Sequence, residues 1–196
     1  MKRGLAGMIN RIALCGAVAL AVAGPARAED KVVTLPIQGV VGLADHSEAG
    51  RSTNSPIAVV IHDAQGHKDA EPIRRLRQAL VERGVSVLVP TLSLGVDRRA
   101  GSVDCRQVQS RTIVDMVPEV EDWVNFARTT GTRKVYVIGI GMGANLVARY
   151  LTVAPTVAGA VFINPHGKAE DEKAAEDYEA RYGAPVATIL AEAEAR

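Results

Sequence analysis

An open, doubly wound α/β sheet is the fold class that this sequence predicts, and three observations carry it. From residue 57 onward, short runs of Val, Ile, Leu and Ala alternate with longer amphipathic stretches, the signature of successive βα units. Most of the runs are continuously apolar rather than alternating, as strands covered on both faces require. Finally, the stretch from Lys134 to Tyr150 reads as a buried strand, a turn with glycine at every second position, and a helix.

Taken in order, the first residues describe a destination. Lys2, Arg3 and Arg11 precede an apolar run from Ile12 to Ala23, and Ala26-Arg27-Ala28 follows. A basic start, a short apolar core and a small-x-small site predict a secretory signal peptide over 1–28, cut after Ala28. The run is too short for a permanent span, so no stable membrane span is expected after cleavage. Cys15 lies inside that core behind Leu14, a poorer match to a processing site than Ala26-Arg27-Ala28. Residues 29–196 are then one exported domain, periplasmic or secreted, with Cys105 as the only cysteine and no internal disulfide. The leader holds four basic residues and no acidic one, against 23 basic and 22 acidic in the whole chain. The remainder is therefore mildly acidic, without the basic footprint of a nucleic-acid binder.

Strands are expected at 31–38, 57–62, 85–90, 134–140, 158–164 and 186–191, and the polar segment 45–55 is expected to be a surface loop. Asp69 is placed to cap a helix running to Val81, with Ile73, Leu76 and Leu80 on its inner stripe and Pro72 in the tolerated first turn. Arg74, Arg75, Arg77 and Arg83 are expected on the solvated face of that helix. A second helix runs from near Asp115 to Thr130, burying Met116, Val120, Trp123, Val124 and Ala127 and ending at Gly131, with Pro118 in its first turn. A third follows the glycine turn, and a fourth, 168–182, is charged and poor in aliphatics.

Gly139-Ile140-Gly141-Met142-Gly143, between strand and helix, resembles the G-x-S-x-G nucleophile elbow of the α/β-hydrolase superfamily, with Gly141 where the serine stands. The order of elements extends the resemblance over most of residues 29–196, in particular to exported bacterial α/β-hydrolase-like proteins of unassigned function. The resemblance implies an oxyanion loop at His62-Asp63-Ala64-Gln65-Gly66-His67, with donors from the Met142 N–H and from Ala64 or Gln65. It also places Glu192 or Glu194 near the acid position at the end of strand 186–191. Superfamily triads put the histidine after the acid, yet the histidines here are His46, His62, His67 and His166. The resemblance thus implies a small or C-terminally truncated version of the fold that lacks two of three triad members.

Alternatives for chemistry are few. Cys105 follows the 85–90 strand region and is a candidate displaced nucleophile, set against its reading as a small buried apolar residue. His62 is a candidate base, set against an ordering role in its loop. His62 and His67 with Asp63 and Asp69 lack the helical spacing and the third clear ligand of a zinc site, so no metal is expected. His166 reads as a loop residue. Gly139-x-Gly141-x-x-Ala144 also fits a dinucleotide fingerprint, but the following strand ends Asn164-Pro165 without the acidic residue that holds a ribose. No cofactor is expected. The function expected is a non-catalytic binder of a small molecule or protein, through Ala64, Gln65 and Met142. The enzyme alternative is an esterase-like or thioesterase-like hydrolase with a displaced nucleophile, with a dinucleotide-binding protein as the least favoured reading.

Overall fold

The computed structural model describes residues 30–50, 55–104, 106–130, 134–153, 156–183, 185–188 and 191. The expected leader, Cys105, Gly131, Glu192 and Glu194 lie outside the described residues.

The chain opens with a hairpin of β1 (Asp30–Ile37) and β2 (Val40–Ser47). Its two turn residues, Gln38 and Gly39, have φ of 46° and 89°, the left-handed pair that lets a two-residue turn follow the twist of its strands. Next come β3 (Ile57–Ile61), α1 (Glu71–Val81), β4 (Ser86–Thr91), a 3-10 turn (Ile113–Met116), α2 (Val117–Thr129), β5 (Val135–Ile140), α3 (Met142–Val153), β6 (Gly159–Ile163) and α4 (Lys168–Tyr182). The sheet order is β1-β2-β4-β3-β5-β6, with β4, β3, β5 and β6 parallel to one another, β2 antiparallel to β4, and β1 antiparallel to β2.

Alternation along the buried strands sorts side chains onto two covered faces. Ile57, Val59 and Ile61 of β3 share a core with Leu88, Val135, Val137, and Val120, Trp123, Val124, Leu146 and Val147 from α2 and α3. Ala58 and Val60 face the other way, with Val87, Val89 and Ile138, against Ile73 of α1. Helices cover both faces, as the continuous apolar runs require. The 3-10 turn and α2 follow the expected helix closely: Pro118 sits in the first turn of α2, and every side chain expected inward is buried.

Four expectations need correction. Residues 45–47 are not loop but the end of β2, and Asp45 is buried there because Lys68 and Arg77 both pair with it, at 3.0 and 2.8 Å. Arg77 accordingly is not a solvated residue; its side chain is 12% exposed and also reaches Asp30 at 3.1 Å. Asp69 does not cap α1, whose N-cap is Ala70 without a side-chain bond, because the Asp69 carboxylate takes the Lys68 ammonium at 2.9 Å. Residues 186–188 and 191 are helical rather than strand. Pro185 begins that turn, with the Thr188 N–H donating to its carbonyl at 3.0 Å, and an Ala-rich segment after proline favours helix over extended backbone.

β6 departs from the pattern in another way. It is an edge strand in the described sheet, and Val161, Phe162 and Ile163 remain substantially exposed. Where burial is described along α4, its residues are exposed except for the half-buried Tyr178.

Candidate functional site

The site begins where β5 becomes α3. Gly141 makes that corner with φ of +57°, a backbone state that a side chain resists. Gly143, two residues on, lets α3 press against the end of β3, where an added Cβ would run into the carbonyl oxygens of His62 and Ile61. This close approach carries the loop after β3 over the start of α3.

Asp63 is the first residue of that loop to reach across. Its Oδ1 accepts the Met142 N–H at 2.9 Å and the Ala64 N–H at 2.8 Å. The Met142 donor lies 79 residues from Asp63 and the Ala64 donor beside it, and both distances are those of an oxyanion hole. The oxygen they hold belongs to the protein itself. A Cβ on Gly141 would lie 2.6 Å from Asp63 Cγ, 2.7 Å from Oδ1 and 3.0 Å from Oδ2, so the carboxylate fills the space that a side chain at 141 would enter. Because the Met142 N–H opens α3, Asp63 also caps that helix and meets the positive end of its dipole.

His62 and Arg99 hold the loop in place. The buried imidazole donates from Nδ1 to the Asp63 carbonyl at 2.6 Å and accepts the Leu92 N–H on Nε2 at 3.0 Å, which fixes the neutral tautomer. Burial drives its pKa down to about 4. Both ring nitrogens therefore serve backbone groups, the ordering role weighed above against a catalytic base. The guanidinium of Arg99 bridges the Leu92 carbonyl at 2.6 Å and the Gly66 carbonyl at 2.8 Å, while the Gly66 N–H returns to the Asp63 carbonyl at 2.8 Å.

Glu119 anchors the facing loop from below. Its carboxylate is fully buried and accepts the Ser93 N–H at 2.9 Å, the Ser93 hydroxyl at 2.6 Å and the Trp123 indole N–H at 3.4 Å. Burial raises its pKa against the pull of these bonds. Thus β3, β4 and α2 all brace the end of the sheet at which Gly141 sits.

The other sequence candidates are scattered. Ala64 and Met142 come together as expected, through their N–H groups, whereas Gln65 is exposed on the loop. His67 accepts the Asp69 N–H at 3.2 Å, and the carbonyl of His166 receives the Asn145 amide at 2.9 Å. Among the described residues, no group of three or more His, Cys, Asp or Glu could hold a metal, and no helix is long and apolar enough to cross a membrane. Sequence reasoning passed over Asp63 as a site residue, considering it only beside a metal, and missed Arg99 and Glu119. For Asp63 a signal existed: an acid placed directly after the strand that feeds the oxyanion loop, opposite an elbow without a side chain.

Next to the corner, a cleft of about 250 Å³ lies between the 3-10 turn and α3, lined by Ile113, Val114, Met142, Asn145, Leu146 and Arg149. Met142 belongs to both hole and cleft.

Residues 46–195 match the model of the dienelactone hydrolase family. No curated protein matches the chain. Among solved structures, an esterase from Pyrococcus furiosus is similar at 18% identity with a TM-score of 0.60, over 76% of this chain and 56% of that one. A putative α/β-hydrolase from Agrobacterium tumefaciens is similar at 19% identity and TM-score 0.52, over 69% of this chain and 61% of that one. The thioesterase domain from the curacin biosynthetic pathway is similar at 15% identity and TM-score 0.54, over 74% and 52% of the respective chains. At these identities the likeness shows the fold, and the chain spans only part of the length of each neighbour.

Proposed function

Because this chain belongs to the dienelactone hydrolase family of α/β-hydrolases yet carries glycine at its elbow, we propose that it is an exported, non-catalytic member that binds a small carbonyl or carboxylate compound. The observation that supports this reading most is Asp63 Oδ1 seated on the Met142 and Ala64 N–H groups beside a residue 141 that has no side chain. Glycine supplies no nucleophile, and a carboxylate on the oxyanion donors competes with any substrate carbonyl. The donors themselves remain well aimed, so a hole without chemistry keeps its capacity to bind. Export rests on the leader pattern of residues 1–28.

Purified protein assayed with aryl esters tests the reading directly, with turnover at the uncatalysed background as the expected result. Terminal sequencing of the exported form is expected to begin at Glu29. The family match and the esterase and thioesterase neighbours favour a second reading, a hydrolase with a displaced nucleophile. Ester turnover abolished by Cys105→Ala, or by His62→Ala in a protein whose thermal unfolding matches wild type, would establish that second reading instead.

A further inference from the structure

We infer that Asp63 is an exchangeable occupant of its own site, and that the ligand is a small amphipathic monocarboxylic acid. The ligand's head group takes the place of the Asp63 carboxylate on the Met142 and Ala64 N–H groups, and its apolar end lies along Ile113, Val114 and Leu146. This rests on the binding reading above and names the ligand class for it.

Two observations lead there. First, the hole is already shown holding a carboxylate: donors from two separate segments converge on one oxygen at 2.9 and 2.8 Å, and Asp63 itself is exposed, so rotation of a single side chain vacates the position. Second, the adjoining cleft has three aliphatic walls and about 250 Å³, below the roughly 300–1,000 Å³ of pockets for drug-sized ligands. Its size suits a short acyl chain.

Competition explains why the ligand must be amphipathic. A carboxylate tethered by one side chain acts at a local concentration on the order of millimolar or more, so a bare anion such as acetate cannot displace it at lower concentrations. Each methylene buried against Val114 and Leu146 multiplies affinity several-fold, and a short chain therefore supplies what the head group lacks. Arg149 at the other end of the cleft is the competing anchor for an anion. It is exposed and within electrostatic reach of the Asp115 carboxylate, so water, salt and that anion weaken its pull, whereas the hole offers two oriented donors at a helix start.

Calorimetric titration of the purified protein with octanoate, acetate and 1-octanol tests this, with thermal unfolding run on each variant. Octanoate is expected to bind Asp63→Ala at least about tenfold more tightly than wild type, since the tethered competitor is gone. Octanol is expected to show no such gain, and acetate no binding to wild type at low millimolar concentration. Val114 is nearly half exposed, so Val114→Asp disturbs the cleft without emptying the core, and it is expected to weaken octanoate binding about tenfold even in wild type. That variant carries the test should Asp63→Ala unfold. Equal octanoate affinity in wild type and Asp63→Ala, an equal gain for octanol, or loss of binding in Arg149→Ala with none in Val114→Asp would overturn the inference. Octanoate binding to no variant, with aryl-ester turnover still at background, would sink the ligand class while leaving the non-catalytic reading standing. Turnover of an octanoyl ester by wild type would sink the non-catalytic reading instead.

Discussion

At the scale of single residues, Gly141 and Asp63 form a pair in which each constrains the other. Gly141→Ser forces a side chain into left-handed backbone and against the Asp63 carboxylate, so a loss of about 1 kcal/mol or more is expected in urea denaturation. In an Asp63→Ala background the collision disappears and only the backbone strain persists, so the cost of Gly141→Ser should be measurably smaller. Additive losses in the double mutant would contradict the contact. His62 gives a second test through pH. Its folded pKa of about 4 lies below the 6.5 of the free side chain, so the unfolded chain binds the proton more readily. Stability from this residue is complete above about pH 6.5 and is lost as pH falls toward 4, by an amount on the order of 3 kcal/mol. His62→Gln should unfold more easily at neutral pH yet show a flatter decline over that window. A decline as steep as wild type would assign the acid sensitivity to other groups.

At the scale of elements, the ion pairs around α1 differ sharply in worth. Asp45 is buried between Lys68 and Arg77, and Asp45→Asn leaves these cations only their more exposed partners, Asp69 and Asp30, at an expected cost of about 2 kcal/mol in chemical denaturation. Glu71 with Arg75 is an exposed pair one turn apart on α1, and Glu71→Gln should leave the denaturation midpoint close to that of wild type. The same contrast explains what was legible beforehand. Strands β3, β4 and β5 and helix α2 announce themselves because burial on two faces, or on one stripe, dictates their composition. Asp45-His46-Ser47 reads as loop because the partners that let it be buried lie more than twenty residues downstream, at Lys68 and Arg77. The segment 186–191 has a strand's apolar content, but at its described residues, 186–188 and 191, local helix preference after Pro185 wins. The glycine corner and its two donors could be read from spacing and resemblance. That the hole is filled could not, because it depends on the direction of one aspartate side chain, on a loop whose backbone His62 and Arg99 hold.

At the scale of the whole molecule, the parallel core runs β4, β3, β5, β6, with the hairpin extending one side and β6 ending the other. The crevice sits near the middle of this arrangement, above β3 and β5, where the backbone is held from both sides. Resemblance in fold to esterases and a thioesterase domain coexists with a strand-to-helix corner whose shape comes from Gly141 and Gly143. On the reading proposed above, scaffold and chemistry are separable, since the fold persists without a side chain at 141.

The exposed flank of β6 gives the sheet a gradient in time as well as in space. Amide protons of Ala58 and Val59 in β3 lie between two paired strands under cover of helices on both faces, and should be among the last to exchange with heavy water. Amides of β6 directed away from β5 have no described strand to hold them and should be replaced early, before any global opening. Between these extremes falls the Met142 amide, whose protection is set by Asp63. Hydrogen exchange at that one proton would read how often the carboxylate lets go, and Asp63→Ala should hasten it while leaving Val59 nearly as slow as before.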